Sequence, residues 1–442
     1  MDGLKRIMLQ DLTDKVSEIC DNFYENCVAL LARLVACQSI SGNERECAEV
    51  LVTFFRDRNI PCFRDSRGSI LAVSLPRQFE PEPLSEHGEN AGKWLRVELK
   101  KARDKGLKIL AFNAHMDVVS AENPEEWTSD PFWAVRRNGR IYGRGTCDMK
   151  GALAAMAMSM AVAREVDRDF DRKCVVLGCF CTEEEVAEGL AFRDLFEEFG
   201  LKPDMVILGE PSKMQIARGQ RGKLEIMVET SGVCAHTSVP EAGDNAAYKL
   251  ARVLLAIENV EAEERFKFGM EPNNTMKRST VVATTLKSWP NSKSFVPDKA
   301  MTHVTARLAM GETLATLSKK LQADENWPDA RIIPIVYRGK SYLGVESDWN
   351  AEHSAWETEQ SHPFFGFLAA AYEELCAEKP VDKIWPFSTD GVYSAGIAGI
   401  PTLGIGPGHE EIAHKTDEWV SEDELKKALK LYSFLPFFRA EK

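Results

Sequence analysis

ILAFNAHMDVV (residues 109–119), WTSDPF (127–132) and GRIYGRGTCDMKG (139–151) lie close together, and their reading decides the fold. Ile109, Leu110, Ala111 and Phe112 form a short apolar run of the length of a buried strand. The run stops at His115, with Asp117 two residues on. In open α/β sheets, reactive groups collect just beyond the carboxyl ends of strands. A His-x-Asp placed there reads mechanically: one imidazole nitrogen binds a metal while a carboxylate fixes the tautomer and orientation of the ring. Asp148 then falls between a glycine-rich turn and an Ala/Met-rich helical stretch (152–163). At that place an aspartate also suits a helix N-cap. Either half alone is weak; together they suggest a metal site in an α/β domain.

Composition sets the outer limits. A chain of 442 residues predicts two domains and a large core. Its 44% hydrophobic and 28% charged residues are those of a globular protein. A net charge of −13 argues against nucleic acid or an anionic membrane as the main partner. It does not argue against a small substrate, since a metal cluster reverses the field in its own cleft. The eleven cysteines are odd in number, show no paired zinc-finger spacing and sit largely in apolar runs, so free thiols in a reducing compartment are expected. The N-terminal stretch alternates charged and apolar residues at helical spacing, and no run of about 18 apolar residues occurs. A cytoplasmic location is the expectation.

Along the chain, helices are predicted over residues 4–37 and 44–58, then a strand over 67–75. Residues 76–106 are highly charged and weakly periodic and read as a solvated surface excursion. KCVVLGCFC (173–181) is a second buried-strand run, ending on Thr182-Glu183-Glu184-Glu185; MVIL (205–208) is another, ending on Gly209-Glu210. Residues 223–230 alternate like a half-exposed strand. A long helix ending near 260, strand-like runs at 279–286 and 301–308, a helix at 312–323 and a strand at 331–337 complete a β-α-β-β-α-β order. That order is the ferredoxin-like, split-βαβ unit. The chain is therefore expected as a discontinuous α/β catalytic domain with a mixed sheet (1–216 and 339–442) and an inserted ferredoxin-like domain (217–338). A helix over 361–378 and a helix and strand within 387–408 return to the first domain. GIGPG (404–408) lacks the lysine and serine of a phosphate loop.

HMD followed by GRGTCDMKG resembles the first two motifs of the zinc peptidases that include ArgE, DapE, aminoacylase and the carboxypeptidase-G type. TEEEVAEG (182–189), GEPS (209–212) and AHKTDE (413–418) are similar to the later motifs and follow in the same order. The resemblance spans residues 30–435. QRGKLEI (220–226), PEAGDNAAYK (240–249) and FSTDGVYSAGIAGIPTLGIGPG (387–408) bring it nearest to the YgeY-type hydrolases. Registering Gly189 on the family glycine makes Glu184 the general base and Glu185 a metal ligand; a slip of one residue gives Glu183 and Glu184 instead. AHKTDE favours His414 over His409 as the last ligand.

The set His115, Asp148, Glu185, Glu210 and His414 offers two imidazoles, three carboxylates and no thiolate. That mix suits Zn²⁺, with Co²⁺ or Mn²⁺ possible in its place. Five ligands exceed one tetrahedral zinc and fit two metals per subunit if a carboxylate bridges. The resemblance implies that Asp148 bridges, that His115 and Glu210 serve one metal, that Glu185 and His414 serve the other, and that Asp117 supports His115. It further implies amide hydrolysis of a small peptide or N-acyl amino acid, with Glu184 moving the proton. The inserted domain would act as lid and homodimer surface, and His236 of a second subunit would stabilise the oxyanion. Arg307, Asn245 and Gly391 fall at its substrate-binding positions. The lid departs from the family where relatives bind the substrate carboxylate: Thr305-Ala306-Arg307 lacks the usual aspartate, and Ser294-Phe295-Val296-Pro297 replaces Asn-x-x-Pro. The alternatives are an N-carbamoyl amidohydrolase, an amide-forming enzyme using the same site, and a silent scaffold. A silent member should have lost a ligand or the base, and none is missing.

Overall fold

The computed structural model describes residues 2–79, 91–269 and 276–439. Its larger sheet is built around the Lys108–His115 strand, which is buried from Ile109 onward and runs parallel to Cys174–Cys181 on one side and Met205–Leu208 on the other. Thr402–Gly404 continues the parallel set beside Met205–Leu208, while Ile70–Ser74 and Cys62–Arg64 add antiparallel strands beyond Cys174–Cys181. Uninterrupted apolar runs of this kind belong to strands covered on both faces. The covers here are two helical layers.

On one face, helix Asp2–Ala36 lays Leu12, Val16, Ile19, Leu30, Leu31 and Leu34 onto helices Gly151–Val166 and Glu422–Phe434, at the spacings of three and four that give a helix one apolar side. Gly151–Val166 is itself buried on all sides, 14 of its 16 residues being inaccessible. Its alanines and glycine explain how it fits between the sheet and two other helices. The opposite face is covered by helices Leu190–Phe199 and Ala91–Asp104. The second of these corrects the reading of residues 76–106 as a solvated excursion. Leu95, Leu99 and Ala102 are buried against Phe63, Phe199 and the sheet, and Trp94 packs on Phe63 at 5.5 Å. Charged residues on the outer side dilute the apolar periodicity; residues 80–90 lie outside the described residues. Leu95→Ala should therefore cost about 2–5 kcal/mol, measured by denaturant unfolding. A change within about 0.5 kcal/mol, the scale of a surface substitution, would return this segment to the surface.

The smaller sheet has the spatial order Thr280–Trp289, Lys299–Leu308, Gly222–Ser231, Ala330–Pro334, with short Glu352–His353 also paired to Gly222–Ser231 and every neighbour antiparallel. Helices Ala246–Phe268 and Leu314–Ala323 cover one face, burying Leu250, Val253, Ile257, Leu317 and Leu321 against Leu224, Ile226, Val228 and Val304. This is the split-βαβ arrangement. The other face carries Lys223, Glu225, His303 and Arg307. The last expected strand, 331–337, breaks at Ile335. Val336–Lys340 leaves the sheet and pairs with Glu346–Asn350 as a separate hairpin, so the boundary expected at residue 338 falls inside a strand. No helix among the described residues is long and apolar enough to cross a membrane.

Candidate metal centre

The carboxyl ends of the parallel strands deliver the candidate ligands to one place. His115 is the last residue of its strand; Glu185 and Glu210 lie in the loops that follow Cys174–Cys181 and Met205–Leu208. Asp148 sits at φ −124°, ψ 94°, outside helical geometry, and helix Gly151–Val166 begins three residues later with no side-chain cap. The N-cap reading of Asp148 therefore fails. Its carboxylate lies between two imidazoles, Oδ1 at 3.2 Å from His115 Nε2 and Oδ2 at 3.2 Å from His414 Nε2. The backbone that presents it is fixed by Glu418, which sequence reading missed. Glu418 Oε1 accepts from the amides of Cys147 and Asp148 at 2.8 and 3.0 Å, and Oε2 accepts from buried Arg144 at 2.6 Å.

The three consecutive glutamates have three different surroundings. Glu183 takes a left-handed φ of 56°, and its side chain accepts from Arg67 Nη1 at 2.6 Å in a fully enclosed ion pair. Glu184 approaches His115, with Oε2 at 4.0 Å from Nε2, while its Oε1, like that of Glu183, is buried and accepts no hydrogen bond among the described residues. Glu185 meets His414 Nε2 at 3.0 Å. Their amides are held in turn: Glu183 N donates to Glu44, and Glu184 N and Glu185 N donate to the two oxygens of Asp117, each at 3.1 Å. Ser41 Oγ also donates to Asp117, at 2.7 Å. The carboxylate of Asp117 thus anchors the acidic turn. The Nδ1 of His115 lies closer to the carbonyl of Asp117, at 2.9 Å, than to its carboxylate, at 3.5 Å. A His-x-Asp read from sequence alone assigns only the second of these contacts.

Two groups of side chains bring ligand atoms close enough to share a cation: His115 with Asp148 and Glu185, and His115 with Glu184 and Glu210. The donors are imidazole nitrogens and carboxylate oxygens throughout, which fits a divalent metal of the Zn²⁺ or Mn²⁺ kind. The electrostatics agree. Burial and then Glu210 push Glu184 well above the ordinary carboxyl range; burial and Asp148 do the same to Glu210. Burial and Asp148 raise Glu185 to about 7. Hydrogen bonds to Asp148 and Glu185 raise His414 to about 10. Asp148 moves down despite its burial, because both imidazoles bond to it. Such a concentration of carboxyls in a dry pocket is stabilised by protons or by a cation, and the two compete.

Asp390 is a further buried carboxyl that sequence reading did not select. It accepts from Asn113 Nδ2 at 2.7 Å and from the amide of Gly189 at 2.8 Å, joining the central strand to the end of the acidic turn. His409, the rival of His414, is turned away: its Nε2 lies 2.8 Å from Glu424 and its ring packs on Trp419 at 4.8 Å. His236 is exposed beside the smaller sheet, bonded to Ser238 at 2.8 Å and 6.4 Å from the ring of Phe295. Asn245 caps helix Ala246–Phe268, its Oδ1 accepting from the amides of Ala247 and Tyr248. Gly391 is required by packing, since a Cβ there would lie 2.4 Å from the ring of Trp356. Arg307 lies directly opposite Lys223 on the open face of the lid, and its buried Nη1 makes no hydrogen bond among the described residues.

Residues 111–435 match the peptidase family M20/M25/M40. The chain is 29% identical over 333 residues to the uncharacterized protein YgeY of Escherichia coli (strain K12), covering 75% of this chain and 81% of that one. It is 24% identical over 410 residues to the succinyl-diaminopimelate desuccinylase of Paracoccus denitrificans, covering 91% of this chain and 95% of that enzyme. Among solved structures, aminopeptidase PepT of Bacillus cereus superposes with a TM-score of 0.67 at 18% identity, over 93% of this chain and 98% of PepT. That likeness is one of fold.

Proposed function

The chain belongs to peptidase family M20/M25/M40 and is a metal-dependent hydrolase of amide bonds, and on that premise we propose that it cleaves a small peptide or N-acyl amino acid at a two-metal centre. The observation that carries this reading is the carboxylate of Asp148 set between His115 and His414, with Glu185 against His414 and also within reach of His115, and with Glu184 and Glu210 beside His115. A carboxylate so placed can serve two cations. His115 and Glu210 would hold one, Glu185 and His414 the other, with Zn²⁺ the best match to the donors and Co²⁺ or Mn²⁺ able to replace it. When bound, such ions polarise a carbonyl and lower the pKa of a water molecule.

The remaining steps belong to the side chains. Glu184, pushed well above the ordinary carboxyl range by burial and by Glu210, with one oxygen that accepts no hydrogen bond among the described residues, takes the proton of the attacking water and returns it to the leaving nitrogen. Arg307 is the candidate for the substrate's carboxylate, because it stands on the sheet face away from the helices, its buried Nη1 makes no hydrogen bond among the described residues, and a guanidinium offers carboxylates a two-pronged donor. Asn245 and Gly391 act less directly, one as a helix cap and one as a packing requirement. His236 would supply the oxyanion donor from the second subunit of a homodimer formed through the lid. We read a reducing, cytoplasmic setting from the odd number of cysteines, eleven, and their place in apolar runs of the sequence.

The test is a screen of dipeptides, N-acyl and N-carbamoyl amino acids against zinc-loaded protein, with metal content measured on the same samples. Turnover confined to N-carbamoyl compounds would replace the peptide and N-acyl reading with the carbamoyl one. For an N-acyl or peptide substrate, Arg307→Ala should raise KM by at least about tenfold, and amidation of the substrate should then no longer matter. Equal KM in both proteins would remove Arg307 from the site. Mixed His236→Ala and Glu184→Gln subunits should recover activity that neither has alone. No recovery after verified subunit exchange would place the donor within the same chain.

A further inference from the structure

The hairpin of Val336–Lys340 and Glu346–Asn350 has two unlike faces. Arg338, Lys340, Glu346 and Asp348 point outward and pair across the strands, Arg338 with Asp348 at 3.4 Å and Lys340 with Glu346 at 3.5 Å. Ser347 and Trp349, two residues apart and so on the same side of their strand, face the catalytic domain. They reach the two ends of one short turn. Ser347 Oγ accepts from Arg67 Nη2, and Arg67 Nη1 donates to Glu183 at 2.6 Å while its Nε donates to Asp194 at 2.9 Å. Trp349 Nε1 donates to the carbonyl of Glu188 at 3.0 Å, and the guanidinium of Arg193 lies 4.7 Å from the Trp349 ring. Between Glu183 and Glu188 are the base, Glu184, and the neighbouring Glu185.

The lid acts on the same turn. Lys223, on the lid strand that pairs with Ala330–Pro334, donates to the carboxylate of Glu188 at 2.7 Å. The tip of the hairpin is seated separately: the Tyr342 hydroxyl donates to the carbonyl of Gly68, at 2.8 Å, beside Arg67. A Cβ at Gly68, which has a φ of +110°, would lie 2.3 Å from the Tyr342 ring, so this close seat requires glycine.

We infer that this hairpin is a positioning element for the reaction: Ser347, through Arg67 and Glu183, and Trp349, through Glu188, hold both ends of the turn and thereby fix Glu184 and Glu185. Ser347 and Trp349 act through Arg67 and the Glu188 carbonyl, the groups they contact. Arg67 is fully enclosed, so the contact made by Ser347 is passed to Glu183 without competition from water. Because the hairpin lies between two strands of the smaller sheet, Ala330–Pro334 and Glu352–His353, seating of the lid and alignment of the acidic turn become one event. This rests on the assignment of Glu184 and Glu185 made above, and the test includes a readout that does not.

Ser347→Ala combined with Trp349→Phe removes both contacts while keeping the aromatic ring over Arg193. Hydrogen exchange in the metal-free protein should then speed up by about tenfold or more at the amides of Glu184 and Glu185, with no change in the Lys108–His115 strand. In the metal-loaded enzyme kcat should fall about tenfold or more, with KM within about twofold and metal content unchanged. The outer-face variant Lys340→Ala/Glu346→Ala serves as control and should alter neither measurement. The inference is overturned if exchange at Glu184 and Glu185 is unchanged, if only KM rises, or if the control variant produces the same effect. Faster exchange at these amides in a protein that hydrolyses no amide would uphold the hairpin's role and refute the proposed reaction instead.

Discussion

Glu184→Gln is expected to lower kcat by about 10²–10⁴-fold, the range that a positioned general base supplies, while metal content and fold stay as they are. Glutamine has the same shape, and the backbone amide at this position still donates to Asp117 Oδ1. What is lost is the capacity to accept a proton at a buried oxygen that no hydrogen bond among the described residues satisfies. Glu183→Gln makes a different change. It neutralises the partner of a fully buried arginine, and breaking such a pair costs about 3–5 kcal/mol when one charge is left unmatched; Asp194 remains to share Arg67 and should reduce that cost. The informative comparison is therefore metal content together with turnover. A Glu184→Gln protein that loses metal, alongside a Glu183→Gln protein that keeps metal but is dead, would shift the base to Glu183 and the ligand to Glu184. The enclosure of Glu183 by Arg67 argues against that register.

His414→Ala is expected to weaken metal binding by more than about 100-fold, beyond the loss caused by removing a ligand's supporting partner. It removes the imidazole that lies 3.2 Å from Asp148 and 3.0 Å from Glu185. The side chain is half exposed, so no cavity cost is added and the effect should be read in metal affinity rather than in stability. His409→Ala should leave metal content unchanged. That ring is engaged by Glu424 and Trp419, and Glu424 also accepts from the amide of Gly408 at 2.7 Å. Metal analysis after dialysis of the two variants against a graded chelator series decides the matter. Equal loss from both would mean that His409 holds the 408–414 loop in place for His414.

Much of this was legible in the chain. Apolar runs ending at His115, Cys181 and Leu208 identify parallel strands, because only strands covered on both faces are apolar throughout. Candidate ligands follow each of them because loops at strand ends escape the sheet's packing constraints. The motif order was enough for the resemblance to a metallopeptidase family, and the family match agrees. The β-α-β-β-α-β order likewise specified the lid's fold, since antiparallel neighbours and helices on one face leave few ways to pair four strands.

Other features had no local signature. Residues 91–104 look solvated because a helix that buries one narrow stripe needs few apolar residues, and its charged side dominates the count. The hairpin after Pro334 is polar on its outer face and its anchors are single side chains, so nothing in its pattern marks it as a partner of the acidic turn. Most of all, Thr182-Glu183-Glu184-Glu185 reads as three equivalent carboxylates. Sequence alone determined that this protein would gather imidazoles and carboxylates at the end of a parallel sheet. Only the tertiary structure could divide the glutamates into one paired with Arg67, one beside His115 and one against His414. The reason is physical: each carboxylate takes its role from the charges and donors around it, and those come from residues distant in the chain and close only after folding.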